Sequence, residues 1–256
     1  MLRPLEALVG AVARSDPQAH YVFVGDYVNR GPDSRRVIDL LLSLSRATFL
    51  RGNHDDIFDL LLSGQCCSCH ASAPDPVSAF AWFMQHGLAE TLMSYGADWA
   101  ELESLVHRPS PRRVEQLMNM VPARHQIFIR SLRLGYEADD FFVVHGFWNP
   151  DQPDDSPSPG AQPTADPRAC YEMLWERFTH AEIHRKKRWK RTGYFGHTPV
   201  FNYRSGADAF TPIRGEKIVL LDTAVALSAA GMLSAVCPET GAVMQADQAG
   251  TITELS

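Results

Sequence analysis

Apolar positions recur at three- and four-residue spacing through Leu2, Leu5, Leu8, Val9 and Val12, which predicts an amphipathic helix at the start of the chain. Tyr21-Val22-Phe23-Val24 and Ala47-Thr48-Phe49-Leu50 are short apolar runs with β-branched content, and they predict buried strands. Between them, Val37, Leu40, Leu41 and Leu44 carry the helical period, with Asp33 or Ser34 as its cap. From Ile57 to about Arg133 the pattern reads as mostly helical, with Trp82, Phe83, Leu88, Leu92 and Leu117 as apolar anchors and Pro and Gly as breaks. Phe141-Phe142-Val143-Val144 predicts a strand ending at His145-Gly146. Pro150 to Pro167, rich in Pro, Asp and Ser, predicts a loop, and a helix follows from about Tyr171 to Phe178. Tyr194-Phe195 and Ile218-Val219-Leu220-Leu221 predict two more strands. Met232 to Cys237 and Ala242 to Ala246, joined through Pro238-Glu239-Thr240-Gly241, predict a β-hairpin.

The polar residues that follow these apolar runs carry the chemistry. Asp26 lies in Gly25-Asp26-Tyr27-Val28-Asn29-Arg30-Gly31, and Asn53 in Gly52-Asn53-His54-Asp55. His145 and His197 follow two later strands. In open α/β sheets, ligands bind at the carboxyl ends of strands. Oxygen and imidazole ligands from four strand ends suit a borderline divalent ion such as Mn²⁺, Fe²⁺ or Zn²⁺. Two such ions sharing a carboxylate would activate a water and clamp a phosphoryl oxygen. Arg30 adds a planar fork that fits phosphate, and His54 is placed to protonate a leaving alkoxide. Taken singly, each histidine reads better as a satisfied core residue, but two in matching motifs read better as ligands, and Arg30 reads better as a phosphate ligand than as a surface cation.

Composition narrows the class. The 256 residues predict one domain, 1–256, with a mostly helical insert at about 57–133 and the Pro/Asp-rich loop at 150–167. A net charge of −6 argues against a nucleic-acid partner. Five cysteines, an odd number, argue against a secreted disulfide framework. No apolar run has the length of a membrane span and none resembles a signal peptide, so a cytoplasmic α/β protein with no membrane partner is expected. Cys66-Cys67-x-Cys69-His70 is too closely spaced for an ordinary zinc finger and reads as an incidental loop. The basic run from His184 to Arg191 reads as a solvated face or as a rim that attracts an anion. Asp222 reads as a turn residue.

In this order and spacing, the motifs resemble those of the calcineurin-like metallophosphoesterase superfamily. Within it they are similar to bacterial serine/threonine protein phosphatases and symmetrical diadenosine tetraphosphatases. The runs that carry the resemblance are Gly25 to Gly31, Gly52 to Asp55, His145-Gly146 and Gly196-His197-Thr198-Pro199. Trp82 through Thr91-Leu92, Ser94-Tyr95-Gly96 and Leu174-Trp175-Glu176-Arg177-Phe178 extend it. The resemblance implies a four-layer α/β/β/α sandwich. It implies two divalent metals, Mn²⁺ first, with Fe or Zn as alternatives. Asp26 would bridge the two ions, and Asn53, His145 and His197 would complete the second. Arg30 and Arg177 would hold phosphate. His54 would be the general acid, paired with Asn29. The implied reaction is phosphomonoester hydrolysis by metal-activated water, without a phosphoenzyme.

Two departures from that pattern matter. The family's first strand, ending in a Gly-Asp-x-His-Gly motif, has no counterpart before Asp26. The expectation is a sheet short of one strand, a first metal that keeps only Asp26 of these ligands, and a start placed after that motif. Asn29 stands where many relatives carry Asp, which predicts a differently tuned His54. The whole-chain pattern favours a phosphoprotein substrate, with a dinucleoside polyphosphate as the alternative. An inactive protein that binds a phosphorylated ligand is the alternative from another class.

Overall fold

The computed structural model describes residues 1–68, 75–152 and 166–255. In chain order the elements are α1 (Leu2–Ser15), β1 (Tyr21–Phe23), α2 (Ser34–Leu42), β2 (Ala47–Phe49) and α3 (Asn53–Ser63). A run of helices follows: α4 (Pro76–Met84), α5 (Leu88–Ser94), α6 (Trp99–His107), α7 (Pro111–Met118) and α8 (Ala123–Ser131). Then come β3 (Gly135–Glu137), β4 (Phe141–Val144), α9 (Pro167–Trp175), α10 (His180–His184), β5 (Thr192–Phe195), β6 (Ile213–Gly215) and β7 (Ile218–Leu220). β8 (Leu233–Val236), β9 (Val243–Ala246) and β10 (Ile252–Leu255) close the fold.

Side-chain alternation along the central strands separates the layers. In β4, Phe142 and Val144 face a cluster that holds Met173 and Leu174 of α9 and Ile183 of α10. Val143, between them, faces the opposite way, with Leu50, Tyr194 and Val219. The same alternation places Phe195, Ile218 and Leu220 on the α9 side. Across the second cluster lie Val22 of β1, Val24 just after it, and Val236 of β8. Phe23 turns the other way, into a third cluster built with α1 to α8. Three apolar interfaces therefore separate four layers, α/β/β/α, as expected from the sequence.

The sheet on the α9 side has the order β3-β4-β5-β7-β6, parallel at its centre and antiparallel at both edges. In the other layer, β1 and β2 form a parallel pair, and β10-β9-β8 form an antiparallel sheet. Between Val22–Val24 and Leu233–Ser234 lies a cavity of about 270 Å³. Among the described residues, no strand lies between β1 and β8.

Some boundaries differ from the sequence reading. α3 begins at Asn53, because the Asp55 carboxylate accepts the Gly52 N–H at 2.9 Å and closes the first turn. α9 spans Pro167–Trp175 instead of Tyr171 to Phe178: Asp166 caps it, Pro167 opens it, and Glu176 is extended. Trp82 is not a core anchor; it is 40% exposed, whereas Phe83, Leu88, Leu92 and Leu117 are buried. The basic run is partly paired and partly exposed, with Arg185, Lys186, Arg188 and Lys190 on the surface. Lys187 is buried and donates to the carbonyls of Ile183 and Arg185, Arg185 pairs with Asp151, and Arg191 with Glu137. Most of the Pro150 to Pro167 loop, and Cys69 and His70 of the cysteine-rich stretch, lie outside the described residues. No helix among the described residues is long and apolar enough to cross a membrane.

Candidate active site

The carboxyl ends of β1, β4 and β5 and the first turn of α3 meet at one edge of the two sheets. Tight backbone geometry brings them together. Asp26, Asn29, Arg30 and His197 all adopt positive φ, between 60° and 73°. Non-glycine residues in that region are uncommon, and they cluster where a structure holds side chains against local preference. A Cβ at Gly52 would overlap the Asp26 carboxylate, so only glycine lets these two loops touch. The buried Asp55 carboxylate ties the loops together, accepting N–H groups from Asp26 at 2.8 Å, Tyr27 at 3.0 Å and Gly52 at 2.9 Å. Burial and the nearby Asp26 push its carboxyl up to about 7, against the pull of those backbone donors. The motif reading leaves Asp55 without a role; its place at the third position of a helix is the signal that could have found it.

Asp26, His145 and His197 offer ligand atoms that all lie within 4.8 Å of one another. His145 Nδ1 lies 2.7 Å from the Val24 carbonyl, which accepts its proton and leaves Nε2 as an acceptor. That Nε2 stands 3.1 Å from Asn53 Oδ1 and 3.5 Å from Asp26 Oδ2. His197 shows the mirror arrangement. Its Nε2 donates to the Trp175 carbonyl at 3.1 Å, and its Nδ1 faces Asn53 Oδ1 at 3.0 Å. Two imidazole lone pairs, an amide oxygen and a carboxylate thus converge as acceptors. Each imidazole is oriented by a backbone carbonyl on its far side, the usual arrangement around a metal-ligating histidine. The donor set fits a borderline divalent cation.

Electrostatics keeps these groups in ligating form. Burial pulls His197 down to about 3, helped by His145 and Arg177 and opposed by Asp26, so its imidazole is neutral at pH 7. Burial works to raise the Asp26 carboxyl, but His145, His54, His197 and the His54 N–H outweigh it and hold the carboxyl below its ordinary range.

His54, next along the same turn, is buried, and burial chiefly pulls it down to about 4. Asn29 Nδ2 lies 2.7 Å from His54 Nδ1 and donates to it, while the Thr91 hydroxyl donates to Asn29 Oδ1 at 3.2 Å. The amide nitrogen of Asn29 faces the imidazole. The His54 proton therefore sits on Nε2. Arg30 lies within electrostatic reach of His54, and its N–H donates to the Gly87 carbonyl at 3.0 Å. Arg177 is exposed, within reach of His197. Asp222 lines the cavity beside these residues and accepts the Ala224 N–H at 3.0 Å, closing a turn.

Residues 2–217 match the family model of the calcineurin-like phosphoesterases. A curated relative from Ectopseudomonas mendocina (strain ymp), a symmetrical bis(5'-nucleosyl)-tetraphosphatase, is 27% identical over 147 residues. That match covers 54% of this chain and 47% of the relative, so the chain spans about half the length of the curated relative it matches. Among solved structures, a metallophosphoesterase from Sphaerobacter thermophilus is 15% identical, with a TM-score of 0.41 over 99% of this chain and 84% of that one. A point mutant of a cold-active protein tyrosine phosphatase is 14% identical, with a TM-score of 0.49 over 99% of this chain and 77% of that one. With its four-layer fold and its strand-end cluster of Asp26, Asn53, His145 and His197, the chain belongs to the calcineurin-like phosphoesterase family.

Proposed function

We propose that this chain is a divalent-metal-dependent phosphoesterase acting on dinucleoside polyphosphates. One observation carries the reading: acceptor atoms of Asp26, Asn53, His145 and His197 converge with no donor among them, beside a histidine that presents an N–H. These four residues would hold the ion, with Mn²⁺ as the first choice and Fe or Zn as alternatives. A divalent ion supplies Lewis acidity toward a phosphoryl oxygen and lowers the pKa of water. The chain's own residues do the rest. Arg30 and Arg177 neutralise and orient phosphate oxygens. His54, held by Asn29, presents Nε2–H to the leaving oxygen. The site lines one cavity with Val22–Val24 and Leu233–Ser234, and Asn53, His54 and His145 are themselves buried, which strengthens their interactions relative to water.

The substrate class is supported by the curated relative, whose name is that of a symmetrical bis(5'-nucleosyl)-tetraphosphatase. The deciding assay compares diadenosine tetraphosphate with a phosphopeptide panel, using Mn²⁺-loaded full chain. Cleavage of the tetraphosphate to two ADP is expected, with a loss of about 10²- to 10⁴-fold in kcat for His54→Ala. Turnover of phosphopeptides alone would move the substrate to phosphoproteins. Bound metal without turnover of either substrate would make the chain a binding protein.

A further inference from the structure

Aromatic side chains lead away from His54 towards the surface. The ring of buried Phe83 lies 5.2 Å from that of His54. Trp82 follows, 5.4 Å from Phe83, 4.4 Å from His86 and 5.8 Å from Trp175. Tyr171 stacks on Trp175 at 6.3 Å and 16°. This shelf is fixed to the site at both ends. At one end, the turn that follows Trp82 brings the Gly87 carbonyl to the Arg30 N–H. At the other, the Trp175 carbonyl accepts from His197, and Trp175 Nε1 donates to the Ser68 hydroxyl at 3.1 Å. Yet Trp82 is 40% exposed and Tyr171 42% exposed. An indole held in place by its neighbours, partly bare, and one ring removed from His54 is a stacking surface for a planar group.

We infer that Trp82, braced by His86 and Trp175, stacks the base of a nucleotide whose phosphate is held beside His54 and Arg30. The identity of that nucleotide as part of a dinucleoside polyphosphate rests on the function proposed above; the stacking itself rests on the geometry of the shelf. Base–aromatic stacking contributes directly to affinity and tolerates any base, because every base has a π-face. Trp82 is therefore a specificity-determining residue: it favours nucleotides over phosphate esters that lack a ring.

The test compares AMP with ribose 5-phosphate by calorimetry on the Mn²⁺-loaded full chain. AMP is expected to bind about 5- to 150-fold more tightly. Trp82→Ala should bring AMP down to the affinity of ribose 5-phosphate while leaving ribose 5-phosphate unchanged, and Trp82→Phe should keep most of the preference. Equal weakening of both ligands would show a structural role and overturn the inference. So would a wild type with no preference for AMP, or a Trp82→Ala chain that keeps it. The two readings fail separately. If AMP binding depends on Trp82 but diadenosine tetraphosphate is not cleaved, the stacking surface stands and the substrate falls. If the tetraphosphate is cleaved with an unchanged KM in Trp82→Ala, the substrate stands and the stacking surface falls.

Discussion

At the residue scale, the tuning of His54 turns on one atom of Asn29. Burial is the main cause of the low proton affinity of His54; Asp26 opposes it and Arg30 adds to it. The donated N–H from Asn29 blocks Nδ1, and the Thr91 hydroxyl holds the amide in that orientation. A second proton on His54 must break this arrangement. In Asn29→Asp, a carboxylate would accept from Nδ1–H and attract the imidazolium. The folded-state pKa of His54 should then rise by about 1–3 units, so the imidazolium survives to higher pH. Titration of the His54 ring proton by NMR checks this, and the alkaline limb of the pH–rate profile should move in the same direction. An unchanged titration would refute it. Asp26, Asn53, His145 and His197 were legible because each follows an apolar run that predicts a strand, and strand ends are where such folds gather ligands. Thr91 and Trp175 lie in runs that carry the resemblance, but their contacts to Asn29 and His197 were not legible, because helix packing alone brings them to the site.

At the element scale, Arg51 joins three pieces of chain. Just after β2 and only 6% exposed, it donates to Asp56 at 2.9 Å and Asp59 at 3.0 Å on α3, and to the Ile129 carbonyl at 3.0 Å on α8. Burial works to lower its pKa, but the two carboxylates outweigh it and hold the guanidinium charged. Arg51→Met would remove the buried counter-charge of two carboxylates, leaving Asp56 with the Cys67 and Ser68 N–H groups and the Ser68 hydroxyl, and Asp59 with Ser63 and Arg130; urea denaturation should show a loss of ~3 kcal/mol. A loss below ~1 kcal/mol would mean that the three pieces are held by apolar packing alone. The same elements show what sequence patterns reveal. β4 and β7 were legible because they are continuous apolar runs buried on both faces. β3, β6 and β10 were not; they are edge strands of three or four residues with polar positions, defined by their partners. In α4 the apolar residues leave no polar stripe, so the pattern could not tell that Trp82 faces outwards while Phe80 and Phe83 face the core.

At the scale of the whole molecule, the unusual feature is the cavity between β1 and β8. Among the described residues, β1 pairs with a strand only through β2, and β8 only through β9. The free edge of each strand borders the cavity, and so do Leu5 of α1 and Leu41 of α2. Two unpaired backbone edges facing an apolar space form a template for one more strand. Such a strand, running parallel to β1, would bring its carboxyl end to Asp26, and Met1, packed against Gly31, lines the same cavity. An apolar strand ending in Gly-Asp-x-His-Gly, joined ahead of Met1, should therefore fill the cavity and place a carboxylate and an imidazole on the open side of Asp26. The chain from Met1 to Ser256 is expected to bind close to one divalent ion, and the extended chain two, as counted by elemental analysis after gel filtration. The thermal midpoint of the extended chain should rise as well, because burying apolar surface and pairing two sheet edges both favour the folded state. A matching extension with the Asp and His replaced by Ala should keep the thermal gain and lose the second ion. If neither extension changes the thermal midpoint, the cavity is not a strand site, and the first metal must find its ligands elsewhere.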